Sequence, residues 1–281
     1  MTHGPHHPRT LEEKLWTAAL WVSAVLVFAF LVAPLIAIVP LSFNDGQFLT
    51  YPLSGFSLRW YGEFFTDPDW MRALKNSLIV GVFSTILSTT LGTLAAVGLT
   101  RARFKGKSVV LGILLSPMIV PLVITGVGFY LFFAPLGLTA TYTGLVLAHT
   151  ALAAPFVVIT VSATLQGFDM NLARAAASLG AGPLRVFGSV ILPLIAPGVA
   201  SGALFAFATS FDEVVVVLLV AGPEQRTLPR EMFSGIRENI SPTIMAAATL
   251  LIAFSTILLV TLELLRRRNE RLTGRRGGTF G

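Results

Sequence analysis

The stretch WTAALWVSAVLVFAFLVAPLIAIV, residues 16–39, contains no Asp, Glu, Lys or Arg. As a helix its roughly 24 residues rise about 36 Å, enough to cross a bilayer core of about 30 Å. It is apolar around its whole circumference, which excludes an amphipathic helix on the surface of a soluble domain. Arg9 and Lys14 precede it as they would in a signal peptide. The run is longer than a signal h-region of about 7–15 residues, and no A-x-A site follows, so it reads as a retained helix. Working outward, five further apolar runs have spanning length: 77–99, 109–133, 142–165, 198–221 and 244–265. The expected fold is an all-α membrane protein with six transmembrane helices.

Composition agrees. Of 281 residues 54% are hydrophobic and 12% charged, with a mean hydropathy of +0.78. Soluble domains carry roughly 25% charged residues, and disordered chains are far less apolar. The absence of cysteine excludes a disulfide framework, a thiol nucleophile and a cysteine zinc site. The pI near 10.2 invites a nucleic-acid reading, but the basic residues are sorted by loop. With the N-terminus in the cytoplasm, fourteen of the twenty Lys and Arg fall inside. These are Arg9, Lys14, Arg101, Arg103, Lys105, Lys107, Arg174, Arg185, Arg266, Arg267, Arg268, Arg271, Arg275 and Arg276. Both termini are therefore expected in the cytoplasm. The terminal arginines follow a span directly and lack interleaved aromatics, so they anchor to the bilayer and no nucleic-acid partner is expected. His3, His6 and His7 sit in a Pro/Gly-containing tail and read as disordered rather than as a metal site.

The domain plan is a cytoplasmic tail over 1–15, a six-helix transmembrane body over 16–265 and a basic cytoplasmic tail over 266–281. Two outer segments exceed simple turns. Residues 40–76 carry Phe48, Tyr51, Phe56, Trp60, Tyr61, Phe64, Phe65 and Trp70, and a short surface helix is expected over 58–65. Residues 222–243 mix Glu224, Arg226, Arg230, Glu231, Arg237 and Glu238. Each segment reads either as connection and anchoring or as a docking surface for an external partner.

The inner segment 166–197 has its own pattern. Asp169 is a fitting N-cap, and Leu172, Ala175, Ala176 and Leu179 make one apolar stripe of a short helix. Gly180 ends it, and Pro183 suits the first position of a second helix carrying Leu184, Phe187 and Ile191, expected to stop at Pro193. Such a helix–turn–helix either packs beneath the bundle or inserts into a partner's groove.

The run Arg174-Ala175-Ala176-Ala177-Ser178-Leu179-Gly180-Ala181, followed by Phe187, Val190, Leu192-Pro193 and Pro197-Gly198, resembles the EAA loop of binding-protein-dependent ABC importer permeases. The motif's glutamate is Arg174 here. More specifically, Thr209 to Val216, Thr227-Leu228-Pro229-Arg230, Ser234 to Thr243, Ser116-Pro117 and 121–128 resemble the second permease subunit of spermidine/putrescine importers. The resemblance covers nearly the whole chain. It implies a type I ABC importer permease fold in a bacterial inner membrane, multi-pass. It also implies a cytoplasmic ABC ATPase dimer that binds ATP–Mg, a second homologous permease and an extracytoplasmic solute-binding protein. Arg174, Ala175, Ala176, Leu179, Gly180, Ala181, Leu192 and Pro193 are the implied coupling residues. Importers of opines and other small nitrogenous solutes look similar, so that substrate class stays open beside polyamines.

Asp212 and Glu213 interrupt the fifth apolar run, between Phe205-Ala206-Phe207 and 214–220. An unpaired carboxylate at the bilayer centre costs about 2.5–3.5 kcal/mol on insertion scales. Either at least one lines a path for a cationic solute, or both make structural contacts. No Lys or Arg lies within a span interior to pair with them. Phe207 and Phe211, four apart, either flank that path or pack between helices.

The chain has no G-x-x-x-x-G-K-[ST] loop, so ATP would be hydrolysed elsewhere. It also lacks H-E-x-x-H, and His149 is the only histidine outside the tail, so no catalytic or metal site is expected and the chain reads as a non-catalytic transport subunit. An ion-coupled secondary transporter is the rival class. It accounts for the acids, but no inverted repeat is visible and segment 166–197 would lack a purpose.

Overall fold

The computed structural model describes residues 10–102, 104–238 and 240–272. His3, His6, His7, Arg9, Arg103, Asn239, Arg275 and Arg276 lie outside the described residues. Among the described residues every regular element is helical, with one antiparallel bridge between Asn44 and Phe56. Five helices are long and apolar enough to cross a membrane, and six spans result if one bent pair counts as a single crossing. The chain divides into two units, one of Met1–Glu63 with Ser241–Leu250 and one of Phe64–Ile240 with Leu251–Gly281.

In the first unit, α1 (Leu11–Leu41) opens with a capping box in which Thr10 and Glu13 satisfy each other's backbone N–H groups. None of its 31 residues is buried, and Trp16, Trp21, Phe28 and Phe30 are wide open, as a lipid-facing helix requires. The loop after it folds around Asn44, whose side-chain oxygen accepts from Ser54 N and Oγ, and whose carbonyl accepts from Trp60 Nε1 at 2.7 Å. Phe43 stacks on Phe56 and meets Tyr61, so part of the aromatic density is internal packing. The expected surface helix is α2, Arg59–Thr66.

The second unit is built on α3 (Pro68–Arg101), α6 (Tyr142–Gln166) and α9 (Leu192–Phe211). Asp67 caps α3 just before Pro68, and Thr141 caps α6. These helices meet through small residues. A methyl group on Gly92 of α3 would stand 2.7 Å from Val157 Cβ of α6, and one on Gly202 of α9 would stand 2.6 Å from Thr160 Oγ1. In lipid no hydrophobic force draws helices together, so close backbone approach supplies the dispersion contact that does.

Three expectations about helix ends are corrected. The third run is not one helix. It is α4 (Lys107–Ile119) and α5 (Leu122–Phe133), bent at 109° where the span breaks. Pro121 has no N–H to continue the ladder, and the residue before a proline is pushed into extended backbone, as Val120 is at φ −72, ψ 133. The second helix of segment 166–197 does not stop at Pro193. After α7 (Met170–Ser178), α8 (Pro183–Val186) passes through a π-turn at Phe187–Ile191 into α9, a span running from Pro183 rather than residue 198. Pro193 is tolerated because it lies in the first turn of α9, and the wider π ladder carries Leu192 N to Phe187 O. That span ends at Phe211, ten residues short of the expected end at 221; α10 (Val215–Val220) follows as a separate helix. The remaining helices are α11 (Leu228–Glu238) and α12 (Thr243–Leu272).

Candidate solute path and coupling surface

The two acids that look equivalent in sequence have opposite surroundings. They do not lie on one helix. Asp212 is the C-cap of α9, its N–H donating to Ala208 O, and its side chain is exposed. Glu213 is 7% exposed and turns toward α10. Its carboxylate accepts from Val216 N at 2.9 and 3.0 Å and from Val217 N at 3.2 Å. A helix of six residues cannot satisfy its own first N–H groups, so the carboxylate fills that need and sits at the positive end of the helix dipole. Glu213 thus finds its partner inside the chain without any Lys or Arg.

The opposite end of α10 is capped by a cation. Arg230 of α11 donates through Nη1 to Ala221 O at 2.9 Å, Gly222 O at 3.1 Å and Val217 O at 3.3 Å. Burial holds the Arg230 guanidinium below its ordinary pKa, with the Arg226 charge adding to the effect and Glu231 opposing it. Ala140 N also donates to Val220 O at 2.8 Å. On its flank α10 packs Val216 and Val220 among Phe133, Ala148 and Leu152, and Leu219 lies over Gly126 of α5.

Behind Glu213 runs a buried polar chain that sequence reasoning missed. His149 Nε2 lies 3.8 Å from Glu213 Oε2 with no hydrogen-bond partner among the described residues. Its Nδ1 is 2.8 Å from Ser210 Oγ, which is 2.9 Å from Ser84 Oγ. The chain joins α6, α9 and α3. A lone histidine and two serines gave no spacing signal in the sequence, since their grouping depends on which faces of three helices meet.

Phe207 and Phe211 stack on each other at 5.4 Å and both contact Phe254, at 6.0 and 5.0 Å. Phe207 also lies against Gly81 of α3. This is a packed aromatic cluster at the end of α9, beside the acids in sequence and engaged with neighbouring helices.

The other candidate region is built from local chemistry. Asp169 caps α7, accepting from Asn171 N at 2.9 Å. The helix ends in a Schellman motif: Ala181 N reaches Ala176 O and Gly180 N reaches Ala177 O. Gly180 has φ +84, the left-handed conformation that a Cβ disfavours. The face that packs is Ala173 with Ala176; of the stripe Leu172, Ala175, Ala176 and Leu179, Ala176 alone meets the core. Leu172 is 49% exposed, Leu179 89% and Leu184 87%. Arg174, Ala175 and Gly180 are also exposed, while Ala176 and Ala181 are partly buried, and Leu192 and Pro193 belong to the start of α9. A small inner face seats the motif and a larger apolar rim projects from it.

The chain thus combines membrane-spanning helices, a broken helix junction carrying two acids and a projecting helical turn. The family described as "Binding-protein-dependent transport system inner membrane component" matches residues 88–271, and the chain belongs to it. Among its relatives is the spermidine/putrescine transport system permease protein PotC of Escherichia coli (strain K12), 34% identical over 241 residues, or 86% of this chain and 91% of that one. The putrescine transport system permease protein PotI of the same organism is 37% identical over 238 residues, covering 82% and 84%. In three dimensions the chain resembles a bacterial ABC transporter involved in the import of the acidic polysaccharide alginate, with a TM-score of 0.71 and 16% identity over 92% of this chain and 99% of that one. The fold is that of a type I ABC importer permease, multi-pass and membrane-embedded.

Proposed function

We propose that this chain is the solute-conducting permease subunit of a bacterial inner-membrane ABC importer for polyamines. The observation that carries the reading is the α9–α10 junction. There an exposed carboxylate, Asp212, sits next to a buried one already committed to a helix terminus. In this reading Asp212 meets the cationic solute and Glu213 holds the junction in shape, with Phe207 and Phe211 as its packed flank. The fold neighbour handles a polyanion, so the fold leaves the substrate open. The named relatives, similar over most of their length, favour spermidine and putrescine.

The body is 16–265, the tails 1–15 and 266–281 are cytoplasmic, and 166–197 faces a cytoplasmic ABC ATPase dimer that binds ATP–Mg. The chain itself is non-catalytic and holds no cofactor. It pairs with a second homologous permease and receives solute from an extracytoplasmic binding protein. Nucleotide-driven closure of the ATPase moves α7–α9 and so switches the access of the path.

The test is ATPase stimulation in the reconstituted complex, titrated with putrescine and spermidine against opine-like and neutral solutes. Stimulation by polyamines alone is the expected result. Stimulation by another solute moves the substrate, and failure to assemble with any ATPase removes the coupling reading.

A further inference from the structure

The α7–α8 turn presents a surface with a definite charge. From Met170 to Phe211 the charged residues are Arg174 and Arg185, both exposed. Neither has a carboxylate partner among the described residues. The nearby acid, Asp169, has its carboxylate engaged with Asn171 N. Arg174 Nη1 reaches only Asn171 Oδ1, at 3.3 Å, which leaves most of its donor fork open among the described residues. Between and around the arginines stand Leu172, Leu179 and Leu184, all exposed. The motif cannot rotate to bury them. Ala173, Val186, Ile191 and Ile195 tie its other face into the core with Leu165.

We propose that the groove receiving this turn is lined by carboxylates placed to meet Arg174 and Arg185, with an apolar floor for Leu179 and Leu184. The proposal rests on the docking reading above and names the chemistry of the ATPase surface that fits it. Protein rather than lipid is the better match. A helix resting on a bilayer gathers its leucines on one face and points its cations away from the hydrocarbon. On α7 the face opposite the solvent is taken by the bundle through Ala173 and Ala176, so leucine and arginine share one outward surface. An arginine fork also meets a carboxylate in bidentate geometry.

The test uses the full chain in complex with its partner permease, in nanodiscs, and the purified ATPase of the same system as the probe. Arg174→Glu with Arg185→Glu should weaken ATPase capture about tenfold, the scale of two exposed ion pairs lost and reversed. Lysine at one groove carboxylate of the ATPase should restore it. Arg174→Gln with Arg185→Gln, a milder pair, should flatten the salt dependence of capture. Normal capture by the reversed pair overturns the acidic groove. If Leu179→Asp then still abolishes capture, the docking reading survives alone; if it does not, that reading falls too. If the reversed pair captures normally but no longer needs phosphatidylglycerol in the nanodisc, the arginines meet lipid headgroups and the proposal is wrong.

Discussion

The α9–α10 junction and the α7–α8 turn are both short interruptions between helices, and they resolve their unsatisfied backbone in opposite ways. At the junction, the first N–H groups of α10 are met by the preceding Glu213, but its last carbonyls are met by Arg230, a side chain brought in from α11. At the turn, α7 closes on itself through Asp169 and the Gly180 Schellman motif, using nothing beyond its own neighbours. The junction therefore needs tertiary structure at its far end, and it buries Glu213 while Asp212 stays exposed. The turn is self-sufficient and has its apolar and charged side chains to spare for a partner. In a membrane protein an interruption at depth must be satisfied from within, whereas one in water is free to present a surface.

That contrast is open to attack. The largest effect is expected from Glu213→Ala, which strips the acceptor from two buried N–H groups. A loss of about 3 kcal/mol and a clear fall in the thermal midpoint of the purified complex should follow. A midpoint equal to wild type would mean that the junction does not depend on this carboxylate. Next, Gly180→Val forces a β-branched side chain into the left-handed region, at a cost of about 1–3 kcal/mol confined to the turn. Uptake should drop severely while the amount of membrane-inserted protein stays constant. Normal uptake would separate the turn from coupling.

Asp212→Asn sharpens the junction itself. It should leave the thermal midpoint alone and raise the polyamine concentration for half-maximal ATPase stimulation about tenfold, the worth of one charge-assisted contact. If instead it destabilises the complex as Glu213→Ala does, the two acids share a structural role and the assignment is lost. Smaller still is Arg230→Met, which keeps the stem but removes the α10 C-terminal cap. A midpoint drop corresponding to about 0.5–1 kcal/mol is expected, with solute selectivity unchanged.

Much of this fold was legible because hydropathy is a local property. The runs at 16–39, 77–99, 142–165 and 244–265 correspond to α1, α3, α6 and α12, with helices extending up to nine residues beyond the apolar stretch. The turn was legible too, since Asp169, Gly180 and Pro183 act on atoms within four residues of themselves. The breaks were less so. Hydropathy sees an apolar run through 109–133 and nearly so through 198–221, yet Pro121 and the Asp212–Glu213 pair each end a helix. The periodicity of α7 showed the stripe Leu172, Ala175, Ala176 and Leu179 but left open whether it packs or docks, because a two-sided helix needs its neighbours to say which side is covered. Alanine, being small, lies flush against the bundle, and the leucines were left outside.

By itself the sequence determined that the chain lives in a membrane, where α1, α3, α6 and α12 lie and where a short capped turn interrupts the spans, because each of these follows from residues close together in the chain. Only the tertiary structure decided which acid is buried and which exposed, that His149, Ser210 and Ser84 form one polar chain, and that Arg230 closes the far end of α10. Those groupings arise where faces of α3, α6, α9, α10 and α11 meet, and which faces meet depends on packing between residues far apart in the chain.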